Sequence, residues 1–135
     1  MGFSEEWEKR YLASTHLSIW PWSDIVSLVN RHCKKMIKEK TGKVLELGCG
    51  AGANIPFLCS LGLSYYAIEG SSTIVRNLHK KYPDISDNII VGDFTSEKTF
   101  GSDFDLIIDR CSVTCNDSIS IKNTLHNAHK SLKNG

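Results

Sequence analysis

Four acidic residues, Glu46, Glu69, Asp93 and Asp109, stand at or just beyond the ends of four short apolar runs, and three glycines, Gly48, Gly50 and Gly52, follow the first. Carboxylates neutralise cations and accept hydrogen bonds, while glycines let a ligand approach bare backbone. Together they suit a ligand that carries positive charge, hydroxyl groups and an amino group. Glu46 weighs most, because it interrupts the apolar KVLEL (43–47), where a charge without a partner costs on the order of several kcal/mol. Something must face it.

The elements that hold these residues follow from hydrophobic periodicity. KVLEL (43–47), SYYAIE (64–69), NIIVG (88–92) and FDLIID (104–109) are nearly continuous apolar runs, the pattern of strands covered on both faces. Helical periodicity between and after them predicts helices near 53–61, over 71–81 with Ser71 or Ser72 as cap, and over 117–133, with at most one turn in 93–103. Upstream, Ser4 caps a short helix bearing Phe3, Trp7 and Tyr11, and a second helix runs from Ser23 until Gly42 stops it. The β-α-β rhythm with right-handed crossovers predicts a Rossmann-like, doubly wound, mostly parallel sheet in three α/β/α layers; if the strand order is 3-2-1-4, FDLIID lies at an open edge. The organisation expected is a single domain: an amino-terminal helical lid segment over 1–42 and a core over 43–135.

Ligands of such sheets bind beyond the carboxyl ends of the strands, where the four acids lie. Gly48-x-Gly50-x-x-Ala53, with Glu69 about 20 residues further on, satisfies a loose dinucleotide fingerprint, so an NAD(P)-linked oxidoreductase is one reading. A pyrophosphate would bring negative charge to a rim of carboxylates, which disfavours it. S-adenosyl-L-methionine, with its sulfonium, ammonium, ribose diol and adenine amino group, matches the rim better. A non-catalytic nucleoside-binding module is the third reading.

At these residues the chain resembles the class I S-adenosylmethionine-dependent methyltransferases. VLELGCGAG is similar to their first motif, YYAIEGS to the second-strand acid motif, VGDF to the third-strand adenine motif and FDLIIDR to the fourth strand, over residues 43 to 110. The resemblance implies that Gly48, Gly50 and Gly52 line the methionine part of the cofactor, with Glu46 near its ammonium. It implies that Glu69, with Gly70 beside it, holds the ribose hydroxyls, and that Asp93 holds the adenine amino group. Phe94 lies against the adenine ring in that reading, or else packs in the core. Relatives continue beyond the equivalent of SLKNG with a fifth strand, a helix and a hairpin, so the chain is expected to be carboxyl-terminally truncated relative to the usual domain.

The segment WEKRYLASTHLSIWPWSDIV resembles the opening of a bacterial subgroup associated with cell-envelope or polysaccharide genes, which implies a lid over the cofactor and a small-molecule or saccharide-like acceptor. Tyr11, His16, Trp20 and Trp22 are the wall candidates, Trp20 and Trp22 the lid, whereas Trp7 reads as ordinary packing. An aromatic wall would attract a sulfonium through cation–π contact. Asp109 and His16 are the two base candidates, although Asp109 also suits a cap or a pair with Arg110.

Sixteen basic and fifteen acidic residues in 135 give a net charge of +1, with no footprint for nucleic acid or anionic lipid. Neither a signal peptide nor an apolar run of membrane-spanning length is present, so a cytoplasmic location is expected. Five cysteines, Cys33, Cys49, Cys59, Cys111 and Cys115, are odd in number and sit mostly in apolar segments, which predicts reduced, buried thiols and no metal site. An edge position for 104–109 exposes unpaired backbone, so either a homodimer through that edge or a marginally stable chain is expected.

Overall fold

Four strands, β1 (Lys43–Leu47), β2 (Ser64–Glu69), β3 (Ile89–Val91) and β4 (Leu106–Asp109), form one parallel sheet in the order β3-β2-β1-β4 in a computed structural model of the chain, which describes residues 4–96 and 101–134. The parallel sense is the one the sequence rhythm predicts, and the order is the one that leaves FDLIID at an edge. Register aligns the carboxyl ends: Leu47 lies beside Ile68 on β2 and beside Asp109 on β4, and Glu69 lies beside Val91. One rim therefore receives every loop that follows a strand.

Each face of the sheet buries its own apolar layer. Val44, Tyr65, Ala67 and Ile108 point to one side, where helices α2 (Ser23–His32), α4 (Ile55–Ser60) and α5 (Ser72–Lys81) contribute Ile25, Val29, Leu58, Ile74 and Leu78. Leu45, Leu47 and Ile68 point to the other, against Phe104, Val113 and the Ile121 side chain of α6 (Ser118–Ser131). This alternation explains why the strands read as continuous apolar runs rather than as a two-period pattern.

The helix ends follow their caps. Ser71 accepts from the Ile74 amide at 3.1 Å at the start of α5, and Asp117 accepts from the Ile119 and Ser120 amides at the start of α6. Helix α1 (Glu5–Leu12) is capped by Ser4, and its Glu8 carboxylate accepts from the Thr73 amide at 3.3 Å and from the Thr73 hydroxyl, which ties the amino-terminal segment to the start of α5. The helix expected from Ser23 to Gly42 is two helices. Cys33 leaves the helical region at φ −109° and ψ 31°, so α2 stops at His32 and α3 covers Lys34–Glu39. Lys40, at φ 50°, ends α3 before Gly42 is reached. The turn expected within 93–103 lies partly outside the described residues.

The fourth strand is shorter than FDLIID. Phe104 is drawn instead into a bridge with Leu132, its amide donating to the Ser131 carbonyl at 3.0 Å and its carbonyl accepting from Lys133 at 2.9 Å. Among the described residues no helix is long and apolar enough to cross a membrane. The expectation of buried thiols is corrected: all five cysteines are free, but only Cys49 is buried, while Cys59, Cys111 and Cys115 are exposed. Cys59 lies near the end of α4 and the other two in the loop after β4, where local apolar composition does not mean burial.

Candidate functional site

A cavity of about 610 Å³ opens at the carboxyl rim of the sheet, within the range of small-molecule sites. Glu46, Gly48, Gly50, Glu69, Gly70, Asp93 and Phe94 all line it, so the tips of β1, β2 and β3 converge on one hollow. His16, Tyr11, Trp7 and Trp22 close it from the amino-terminal side.

Glu46 is 2% exposed and has two partners within the protein. Asn54 donates to its Oε1 at 2.7 Å and the Tyr65 hydroxyl donates to its Oε2 at 2.5 Å. Tyr65 reaches it from β2, two places before the residue paired with Glu46. Burial pushes the Glu46 carboxyl up to about 7, against the pull of those two hydrogen bonds. Asn54 also accepts from the Trp22 amide at 3.1 Å, which links the amino-terminal segment to the glycine loop and to Glu46. Sequence reasoning demanded a partner for Glu46 but missed both; a tyrosine on the neighbouring strand and a polar residue just past the glycines were the available signals.

Glu69 is held by backbone: Gly50 donates to its Oε2 at 2.8 Å and Ser71 to its Oε1 at 3.0 Å. Burial raises its pKa, while these amides lower it. Asp93 accepts through Oδ1 from the Thr95 amide at 2.9 Å and hydroxyl at 2.6 Å, and its Oδ2 takes no hydrogen bond from the described residues. Phe94 is half-buried: its ring packs on the Leu45–Phe104 layer and also lines the cavity.

The glycines differ in role. Gly48 sits at φ +69° with Ser112 packed against it, and the Ser112 hydroxyl donates to the Gly48 carbonyl at 3.1 Å. Gly50 faces the Tyr11 hydroxyl, 3.2 Å from where a Cβ would lie. Gly52 is a correction: it does not line the cavity, and a Cβ there would meet Leu78 at 2.7 Å and Ile55 at 2.8 Å, so it lets the loop pack on α5.

Two further assignments are corrected. Trp20 is 76% exposed and does not line the cavity; Trp7, read from the sequence as plain packing, does, 5.9 Å from Tyr11 and edge-on to His16 at 5.6 Å between ring centres. Of the two tryptophans of WPW, Trp22 lines the cavity and Trp20 faces solvent. Asp109 does not face the cavity either: its Oδ1 accepts from the Ser112 and Val113 amides at 3.0 and 2.9 Å and so shapes the loop after β4. Arg110 pairs not with Asp109 but with Asp24. His16 remains on the wall, its Nδ1 3.0 Å from the Thr15 hydroxyl. Tyr11 is raised above its ordinary pKa by burial and by Glu69, so it stands there as a neutral donor.

A family model described as a methyltransferase domain matches residues 44–135, the whole sheet and its rim. The chain belongs to this methyltransferase family. A ribosomal RNA small subunit methyltransferase A of Porphyromonas gingivalis is 35% identical over 69 residues, which are 51% of this chain and 27% of that protein. The fold is similar to that of a TehB-like SAM-dependent methyltransferase from Corynebacterium glutamicum, at a TM-score of 0.60 and 19% identity over 95% of this chain and 64% of the other. It is also similar to that of a glycopeptide N-methyltransferase, MtfA, complexed with sinefungin, at a TM-score of 0.66 and 22% identity over 84% and 46% of the two chains. The chain thus spans less than two thirds of the length of each of these relatives.

Proposed function

We propose that the cavity binds S-adenosylmethionine and that the chain serves methyl transfer to a small-molecule or saccharide-like acceptor. The convergence of Glu46, Glu69 and Asp93 with the glycine loop on one hollow carries this reading. The donor set fits the cofactor. Each carboxylate oxygen has two lone pairs, so Glu46 and Glu69 keep accepting capacity beyond the bonds they already make, and the Oδ2 of Asp93 keeps both. Glu46 is assigned to the ammonium, Glu69 to the ribose hydroxyls, Asp93 to the adenine amino group and Phe94 to the ring, with Gly48, Gly50 and Gly70 as bare floor. Bound there, S-adenosylmethionine supplies a methyl carbon activated by a positively charged sulfur.

The chain's own contribution is then positioning and proton removal. Helix α1, tied to α5 through Glu8, and the Trp22 amide, tied to Asn54, hold residues 4–22 as a wall over the loop. With Asp109 outside the lining of the cavity, His16 is the base assigned to the acceptor. A pyrophosphate cofactor would face three carboxylates, which weighs against the oxidoreductase reading.

S-adenosylhomocysteine at about 100 times its dissociation constant is expected to stabilise the chain by roughly 2.7 kcal/mol in thermal melting, and NAD to have no effect. Stabilisation by NAD alone would overturn the proposal. Copies of the chain are further expected to associate through the free side of β4, where a groove lined by Ile25, Leu28, Val29, Leu106 and Ile108 runs beside α2. Leu28→Glu, at a 51% exposed position, should shift the sedimentation coefficient from dimer to monomer. A wild-type chain that sediments as a monomer at every concentration contradicts this.

A further inference from the structure

We propose that the β4 end of the cavity is an anion subsite in which Arg110 docks the carboxylate of a small, flat methyl acceptor; this rests on the methyl-transfer reading above. The cavity is electrically lopsided. Three carboxylates line it from the tips of β1, β2 and β3, whereas Arg110 is the one lysine or arginine lining it among the described residues. A cationic cofactor belongs at the acidic side, which leaves the basic side for its co-substrate.

Arg110 is held ready for a planar anion. Its guanidinium carbon lies 4.4 Å from the centre of the Trp22 ring, which supports the group from one face. Its Nε is buried and stands 2.9 Å from Asp24 Oδ2, an ion pair without the alignment of a hydrogen bond, and Nη1 donates to the Cys111 sulfur. A guanidinium has five N–H donors, so those on Nη2 have no partner among the described residues. The Asp24 side chain is 54% exposed, and ion pairs of that kind are weak, so Asp24 competes poorly with a carboxylate inside the cavity. Trp22 and Asn116, which also line the cavity, offer flat or neutral surface. A carboxylate fits better than a phosphate, because a dianion would share the cavity with three acidic side chains.

Benzoate, benzamide and phenyl phosphate separate the alternatives, since all three present the same ring. Titrated into the full chain and followed by saturation-transfer NMR, with and without S-adenosylhomocysteine, benzoate is expected to bind at least tenfold tighter than the other two. Arg110→Gln should erase the preference over benzamide, and Asp24→Asn, which frees the guanidinium, should tighten benzoate several-fold while leaving benzamide unchanged. Equal binding of benzoate and benzamide, or a preference that survives Arg110→Gln in a variant with native circular dichroism, would overturn the subsite. Phenyl phosphate binding as tightly as benzoate would overturn the choice of carboxylate. If S-adenosylhomocysteine fails to stabilise the chain while benzoate keeps its preference, the methyl-transfer reading fails and takes the acceptor assignment with it; the reverse result sinks the subsite alone.

Discussion

Replacing Gly48 by alanine is expected to lower the melting temperature by about 10 °C and to abolish stabilisation by S-adenosylhomocysteine. Gly48 has φ +69°, where an L side chain costs roughly 1–2 kcal/mol. Its Cβ would also lie 2.5 Å from the Ser112 Cβ and closer still to the hydroxyl oxygen. Ser112 cannot swing away, because its amide is held by Asp109 and its hydroxyl by the Gly48 carbonyl. Overpacking of this kind costs roughly another 1–3 kcal/mol. The two contributions are separable: Ser112→Gly in the Gly48→Ala background removes the neighbour and should restore about half of the lost stability, while the backbone strain stays. Binding should return in part, because the added methyl then takes the space of the Ser112 side chain, which in the single variant is pressed towards the cavity it lines. A single variant that melts within 2 °C of wild type, roughly the scatter of a surface substitution, would show that the loop relaxes and that Ser112 does not brace it.

The sheet was legible in the sequence because its signals are local. Each strand carries its own apolar run, and each acid stands at the end of its run, so parallel register alone gathers Glu46, Glu69 and Asp93 at one rim. The wall of the cavity was less legible because it depends on contacts far apart in sequence. Glu8 meets Thr73 across 65 positions and the Trp22 amide meets Asn54 across 32, and these two attachments hold the segment from which Trp7 and Trp22, but not Trp20, line the cavity. Residue type could not separate three tryptophans in a short aromatic segment. Asp109 was misread for a related reason: an acid at a strand tip serves either ligand or backbone, and the two amides that claim it belong to a loop whose course the sequence does not specify. The break at Cys33 is subtler, since all of 23–39 is compatible with helix and no residue type in it marks the place where the backbone leaves the helical region.

Affinity for S-adenosylhomocysteine is expected to rise about 20-fold between pH 5.5 and pH 7.5, and Glu46→Gln is expected to flatten that rise and to bind weakly throughout. The free protein holds Glu46 at about 7 because burial disfavours its charge, whereas the ammonium of the ligand requires that charge. Ligand binding at pH 5.5 must therefore release a proton, and the free energy of that release is subtracted from affinity. Stability carries the same signature with a definite sign. A carboxyl raised from its ordinary 4.5 binds more protons in the folded than in the unfolded chain between 4.5 and about 7, so the folded state loses stability as pH rises through that window, by up to about 3 kcal/mol. Glutamine keeps the packing: its carbonyl can accept from Asn54 and its amide can donate to the Tyr65 oxygen, the hydroxyl turning to suit. The variant should therefore fold, lose less stability than wild type between pH 5 and pH 8, and match or exceed it at the upper end. Calorimetric titration in two buffers of different ionisation enthalpy reads the proton directly, and a wild-type profile without proton release at pH 5.5 would show that Glu46 does not face the cationic end of the ligand.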